Sequence, residues 1–397
     1  MVLSRLRNMR TGSGIIWRAL LVLMVQMRSS GINHIIHNLL FLNMKALALD
    51  IGAGTIDFLL YDDRKAIENS IKLVLPSPPR FYAEKVKKAT KDGVDLNISG
   101  YTIGGGPLIS RIKEHVSKGN QAFMTPSAAY SLRNDLEEVR AMGVDIIGEE
   151  EELPGRKISL DEVQLGKFED LLNGFGETLR DVDLIAVSVK DHGAPDEPIS
   201  NREFRIKKFR DLISLNPSLD SFLFREDDIP DYFLRMKSGS KAVKDFLPDV
   251  DVYLMDTSPS ALRGCLEDPN VENKSRVLAV NVGNGHTMAA LLMEMKILGF
   301  FEHHTSSLTG DKLEVLMRRL IEGKLTHSEV FDDGGHGAVV MDGISDLSEV
   351  DIIAVTGPMR RILDASKIDY VQAAPGGDMM ITGTIGILSS VIDKHYN

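Results

Sequence analysis

Two apolar runs broken by a short glycine turn occur twice along the chain. The first reads Lys45-Ala46-Leu47-Ala48-Leu49-Asp50-Ile51, then Gly52-Ala53-Gly54, then Thr55-Ile56-Asp57-Phe58-Leu59-Leu60-Tyr61-Asp62. Near-continuous apolar runs of this length around a glycine turn predict a buried β-hairpin. The second reads Val277-Leu278-Ala279-Val280-Asn281-Val282-Gly283-Asn284-Gly285-His286-Thr287-Met288-Ala289-Ala290-Leu291-Leu292. Laid on the first, it puts Asn281 on Asp50, Gly283 on Gly52, Gly285 on Gly54 and Met288 on Asp57. A repeat at this distance predicts two similar lobes, each opening with the same hairpin.

Between the hairpins, strands alternate with helices, as in a doubly wound lobe. Helices are expected at Pro78–Thr90, from Gly104–Gly106 to about Lys118, and from Thr125 through Met142 with Pro126 at the first helical position. Strands are expected at Val94–Ser99 and Leu184–Val189. Glu149–Glu152 reads as a solvated acidic loop. Pro195–Arg205, rich in proline and charge, reads as a surface loop over a cleft. Asp251–Asp256 reads as the strand that begins the second lobe. Near the C-terminus a buried strand, Val350–Val355, meets Thr356-Gly357-Pro358 and a short helix, Met359–Leu363. Gln372–Asp378 then leads into an apolar helix over 379–392. A strand, a glycine turn and a helix form the place where α/β sheets bind ligands.

Composition divides the 397 residues. Residues 1–43 hold five arginines and no Asp, Glu or Lys, around a short apolar run, Ala19–Val25. That run is too short for a membrane span of about 20 residues. A secretory leader would need a small-residue cleavage site, and Arg28-Ser29-Ser30-Gly31 follows instead. Met44 directly precedes the first strand. The expectation is a non-folding extension over 1–43, a first lobe over 44–250 and a second over 251–397. The net charge is −11, which argues against non-specific nucleic-acid binding. No membrane partner is expected. The one cysteine, Cys265, suits a reducing, cytoplasmic setting. It excludes an iron–sulfur cluster held by several thiolates of one chain. It reads as a small buried residue on a helix.

Candidate chemistry gathers at the turns. Glycines let backbone N–H groups approach a phosphate. Asp50 at a strand end can hold Mg²⁺, usually through water, and Thr55 adds a hydroxyl donor. A plain hairpin with a glycine-rich turn is the alternative, but Asp50 and Asp57 gain a core nothing. Asp191, in Lys190-Asp191-His192-Gly193, is a candidate base and His192 a candidate proton carrier; a polar turn capped by Asp191 is the alternative. The Gly104–Gly106 turn can bind an anion or serve simply as a tight turn. His303 and His304, adjacent on a strand, point to opposite faces. One is expected to face the cleft and one solvent, without a metal. Asp332-Asp333-Gly334-Gly335-His336-Gly337 reads as a flexible loop, with a Mg²⁺ or substrate role as the alternative.

Hairpin loop, second hairpin loop, then strand–glycine–helix resembles the phosphate-1, phosphate-2 and adenosine motifs of the actin-like ATPase superfamily, which includes sugar kinases and heat-shock chaperones. The resemblance implies an α/β duplicated ribonuclease-H-like fold, two lobes around a nucleotide cleft, with ATP and Mg²⁺ as cofactors. It implies that Asp50, Gly52, Gly54 and Thr55 bind phosphate and Mg²⁺. Gly283, Asn284, Gly285 and Thr287 would form the opposing loop, and Gly357, Gly376 and Gly377 would lie near the nucleoside. Asp50, Asp57 and Asp191 are the catalytic candidates. Asn281, Met288 and Pro358 depart from the family pattern, and Asn281 bears on hydrolysis more than on binding. Leu49–Asp57, Ile103–Pro107, Lys190–Gly193 and Phe301–Thr305 also resemble an archaeal and bacterial family labelled as pyruvate formate-lyase activating proteins. Glycyl-radical activators hold their cluster on three clustered cysteines, and this chain has Cys265 alone. The expected activity is an ATPase or a phosphotransferase acting on a small metabolite. A nucleotide-binding regulator and an activator of another enzyme are the alternatives, with a homodimer as the alternative to a single chain.

Overall fold

A computed structural model describes residues 44–151, 153–195 and 198–396; the extension expected at 1–43 lies outside them. In chain order the strands are β1 (Lys45–Ile51), β2 (Thr55–Asp62), β3 (Ile71–Pro76), β4 (Leu96–Gly100), β5 (Ala122–Met124), β6 (Asp145–Ile146), β7 (Arg156–Leu160), β8 (Leu184–Val189), β9 (Leu223–Arg225), β10 (Asp251–Met255), β11 (Arg276–Val282), β12 (His286–Met293), β13 (Lys296–His304), β14 (Gly337–Val340), β15 (Ile352–Thr356) and β16 (Val371–Gln372).

They form three sheets. One runs β3-β2-β1-β8-β10-β9, a second β14-β13-β12-β11-β15-β16, and a smaller one β6-β5-β4-β7. In the first, β1, β2 and β3 make an antiparallel meander, and β8 then β10 add parallel beyond β1. In the second, β11, β12 and β13 make the same meander, and β15 then β16 add parallel beyond β11. Both thus share the core order 3-2-1-4-5, which is the ribonuclease-H-like topology, duplicated. The repeat extends to residue register. Asp50 pairs with Asp57 across its hairpin as Asn281 pairs with Met288 across the other. Asp50 lies beside Ser188, and Asn281 beside Thr356.

The central strands β1, β2, β8, β10, β11, β12 and β15 are buried on both faces, as their unbroken apolar runs require. One core gathers Leu47, Leu49, Phe58, Val187 and Leu254. Another gathers Leu278, Val280, Phe301, Leu320 and Val355. The small parallel sheet has its own core around Val86, Ile98, Leu108 and Met124. It is an insertion between β3 and β8, a division that alternating strand and helix patterns do not reveal.

Three expectations change. Asp251–Met255 does not open the second lobe; it pairs in parallel with Leu184–Ser188 in the first sheet. The helix expected from Thr125 to Met142 is two short pieces, Pro126–Ala129 and Leu136–Ala141. Asp135 caps the second piece by accepting from the Glu137 N–H, whereas Thr125 makes no side-chain cap. The surface loop expected through Arg205 gives way at Asn201 to a helix, Asn201–Leu215, capped by Ser200. Arg205 is fully buried on it.

Two helices cross between the main sheets. Thr257–Cys265 packs on β11, β12 and β15. Thr382–Tyr396 packs on β1, β2 and β8 and against Thr257–Cys265. Their approach depends on glycine: a Cβ on Gly386 would sit 1.8 Å from the Ser260 carbonyl oxygen. Cys265 is buried in this crossing. No described helix is long and apolar enough to cross a membrane.

Candidate functional site

The two glycine turns are built alike. Gly52 N–H donates to the Thr55 carbonyl at 2.9 Å, and Gly283 N–H to the His286 carbonyl at 3.0 Å. Ser77 braces the first turn: its hydroxyl donates to the Gly52 carbonyl and its N–H to the Gly54 carbonyl. Thr305 braces the second in the same way, through the carbonyls of Gly283 and Gly285. Nothing in the local sequence marks Ser77 or Thr305 as partners of turns so distant.

The turns face each other closely. A Cβ on Gly54 would fall 2.1 Å from Asn284 Nδ2, and one on Gly285 would fall 3.3 Å from Ala53 Cβ. They border a cavity of about 470 Å³. Asp50, Gly52, Thr55, Asp57, Asp191, Gly283, Asn284, Gly285 and Gly357 line it, joined by Gly104–Gly106 and Lys190. Gly54 supports the contact between the turns without lining the cavity. The Thr287 side chain is directed at Thr305 Oγ1, 3.0 Å away, and is fully buried. Gly376 packs against Ile67, Ile381 and Ile385, and neither it nor Gly377 lines the cavity. Met379 and Met380, just beyond, line it instead.

Asp50 and Asp57 sit side by side at the mouth of the first hairpin. Each has an Oδ1 sealed from solvent with no hydrogen-bond partner. A Cβ on Gly383 would fall 2.0 Å from Asp50 Oδ2, so a glycine lets the C-terminal helix approach this carboxylate. Burial raises the Asp50 pKa well above the ordinary value, and the Asp57 and Asp256 charges add to it. Burial likewise pushes Asp57 up to about 7, against a Thr55 hydrogen bond that lowers it. Two adjacent orphaned carboxylate oxygens are the donor set a hard cation takes.

This has a pH consequence. Folding favours the protonated form of a group whose folded pKa is raised. The stability Asp57 contributes is therefore full below the ordinary value of 3.8 and is lost as pH rises through about 7. Between pH 5 and 8, in chelator, the protein should lose roughly 2–3 kcal/mol through this residue. Denaturant titration at both pH values measures it, and Asp57→Asn should flatten the profile by that amount.

Behind the turns lies a buried ion network. Arg205 donates to Asp256 at 2.6 and 2.8 Å, and to Glu302 at 2.6 and 3.2 Å. Lys190 pairs with Glu302 as well. Burial opposes ionisation of Glu302, but Arg205 and Lys190 outweigh it and hold the carboxyl well below its usual range. Asp191 accepts from the N–H groups of Gly193, Arg235 and Met236 at 2.8–3.0 Å. Its oxygens are committed to backbone, so its evident work is to fix the loop that carries Lys190 and His192.

Four histidines adjoin this network. His192 and His336 bring their Nε2 atoms to 3.1 Å. The His286 ring lies 4.9 Å from that of His336 and 4.8 Å from that of His304. Neither His303 nor His304 faces solvent freely. His303 is fully buried, its Nε2 2.9 Å from Asp333 Oδ2, and His304 is half-buried among the rings. The loop over 332–337 anchors Asp333 to His303 and Lys312 and buries His336.

Fold and site together define the class: a duplicated ribonuclease-H-like α/β protein of the actin-like ATPase type, with its cavity at the paired glycine turns. The chain belongs to the family described as "Putative pyruvate format-lyase activating enzyme (DUF1786)", whose model matches residues 103–362. No curated protein sequence matches it. Among solved structures it is similar to a Listeria monocytogenes protein described as "a putative N-acetylmannosamine kinase". There the identity is 9% and the TM-score 0.34, over 89% of this chain and 100% of that one. It is similar to a ROK hexokinase from Thermus thermophilus at 11% identity and TM-score 0.29, over 88% and 100%. It is also similar to the psk41 ParM protein at 15% and 0.28, over 89% and 99%. The strand order, not these distant likenesses, carries the fold assignment.

Proposed function

We propose that the cavity binds Mg·ATP and that the protein transfers its terminal phosphoryl group to water or to a small metabolite. The observation that carries this reading is the pairing of two matched glycine turns across a cavity, with Asp50 and Asp57 beside the first. Phosphoryl transfer asks mainly for positioning and charge neutralisation. Backbone N–H groups at both turns would meet the phosphates. The uncapped start of the helix Gly106–Ser117 lines the same cavity and suits an anion. Asp50 would hold the magnesium ion, whose charge would offset that of the phosphates. Asp57, with a pKa near 7, is poised to take a proton from the acceptor hydroxyl. Asp191 holds the Lys190–His192 loop in place. The reaction is set in the cytoplasm, where a lone buried thiol stays reduced.

One feature favours a second reading, a nucleotide-binding regulator that does not turn over. Asn281 and Met288 stand where Asp50 and Asp57 stand in the first sheet, so the second turn supplies no carboxylate. The family label names an activating enzyme. Cys265 is the chain's one cysteine, and no cluster chemistry is assigned to it.

Unfolding of the full chain with ATP, with and without Mg²⁺, tests binding. At a hundred-fold excess over Kd the gain should be about 2.7 kcal/mol. ADP release then separates the readings: turnover supports the enzyme, and stabilisation without turnover supports the regulator. No stabilisation overturns both.

A further inference from the structure

We propose that His192, His286 and His336 form a site for one divalent transition-metal ion of the zinc class, with an open coordination position facing the cavity. This site is distinct from the carboxylate pair and does not rest on the nucleotide reading. Its three side chains come from separate places: the loop after β8, the first residue of β12, and the loop before β14. One ring nitrogen from each lies within 4.8 Å of the others. Two imidazole nitrogens on one tetrahedral ion at about 2.0–2.1 Å stand about 3.3 Å apart. The 3.1 Å between His192 Nε2 and His336 Nε2 is already close to that spacing, and His286 needs a small shift.

Without an ion the cluster is poorly satisfied. His192 Nε2 and His336 Nε2 are joined by a single N–H···N hydrogen bond, 3.1 Å long. His286 Nε2 and His336 Nδ1 are sealed from solvent with no partner. Buried polar atoms in native proteins are normally paired, and each exception calls for an explanation such as an ion. A cation held by Nε2 of all three rings would replace the single His192–His336 hydrogen bond and satisfy the orphaned His286 Nε2.

The surroundings keep the rings ready. Burial pulls His192 down to about 3 and His336 to about 2, and pulls His286 well below its ordinary value. Neutral imidazole is the form that binds metal. Lys190 and Arg205 face the cluster, but Glu302 and Asp256 pair with them. The His336 N–H donates to the Glu302 carbonyl at 2.9 Å, which ties the loop to β13. His304 packs its ring 4.8–4.9 Å from those of His286 and His336 and positions them.

The donor set selects the metal. Three imidazoles suit zinc, cobalt, nickel or iron, whereas Mg²⁺ prefers oxygen. Three protein ligands with a fourth position free is the arrangement of catalytic rather than structural zinc. His192 and His286 both line the cavity, so the fourth position would take water or an oxyanion, phosphate or carboxylate, of whatever occupies it.

The test uses the full chain, stripped with chelator and titrated with Co²⁺ as a spectroscopic probe. The expected result is a single Co²⁺ per chain with the intense visible bands of low coordination number, displaced by Zn²⁺ and not by excess Mg²⁺. His192→Ala, His286→Ala and His336→Ala should each weaken binding by roughly 100-fold or more. His303→Gln should keep it, and circular dichroism checks that each variant folds. The wild-type titration needs no variant: absence of low-coordinate Co²⁺ bands overturns the proposal. Equal displacement by Mg²⁺ overturns it as well, by placing the ion at the carboxylates. Wild-type affinity in all three folded alanine variants does the same.

Discussion

Replacing Arg205 with leucine is expected to lower the unfolding free energy by about 3–5 kcal/mol. Arg205 is fully buried, and its guanidinium makes forked hydrogen bonds to two carboxylates that are themselves sealed from water. Leucine fills much of the volume but leaves Asp256 without its main cation. Glu302 keeps Lys190. An uncompensated buried charge is costly, which is why removing one partner hurts more than replacing a whole network with apolar residues. Arg205→Lys should recover only part of the loss, because an ammonium cannot reproduce the planar fork. Urea denaturation of the three proteins at pH 7 measures both effects. A loss below about 1 kcal/mol for Arg205→Leu would show that the network is not the buried unit described.

The second large effect is at Asp50. Asp50→Asn is expected to abolish the Mg²⁺-dependent stabilisation by ATP, about 2.7 kcal/mol at a hundred-fold excess over Kd. It is also expected to raise the stability of the ligand-free protein, because an amide carries no charge to desolvate. The backbone setting accepts an amide: Asn281 holds the corresponding position in the second sheet, in the same strand register. Opposite signs in the two states mark a residue kept for binding rather than for folding. Thermal unfolding of wild type and variant, with chelator and then with Mg·ATP, reads both. A variant that still responds to Mg·ATP as wild type does would remove Asp50 from the site.

Much of this architecture is visible in local patterns. The two hairpins declare themselves because their apolar runs are continuous and their glycines recur at matching offsets. Their equivalence in register follows, since a pleated strand leaves little freedom once both faces are buried. Asp50 and Asp57 stand out because carboxylates in such runs have no packing role. The insertion at β4–β7 is harder to see, because its strands and helices alternate much as those of the surrounding lobe do. The placement of β10 fails for a related reason: an apolar strand does not announce which sheet it joins. Arg205 is hidden for the opposite reason. Pro195 and its charged neighbours suggest a loop, and only tertiary contact with Asp256 and Glu302 makes the arginine an interior residue. The histidine cluster is non-local as well. His303 and His304 attract notice as neighbours in sequence, whereas the rings that converge come from His192, His286 and His336. Gly376 and Gly377 mislead because glycines in a turn serve backbone geometry as readily as they serve a ligand.

The central claim is that one ligand is held between the two glycine turns. Hydrogen exchange of the full chain, with Mg·ATP and without it, tests this at the backbone. The expected result is slower exchange over 52–57 and 283–288 together, with Asp50→Asn losing protection at both. Protection at neither turn, or at one alone, would contradict the account.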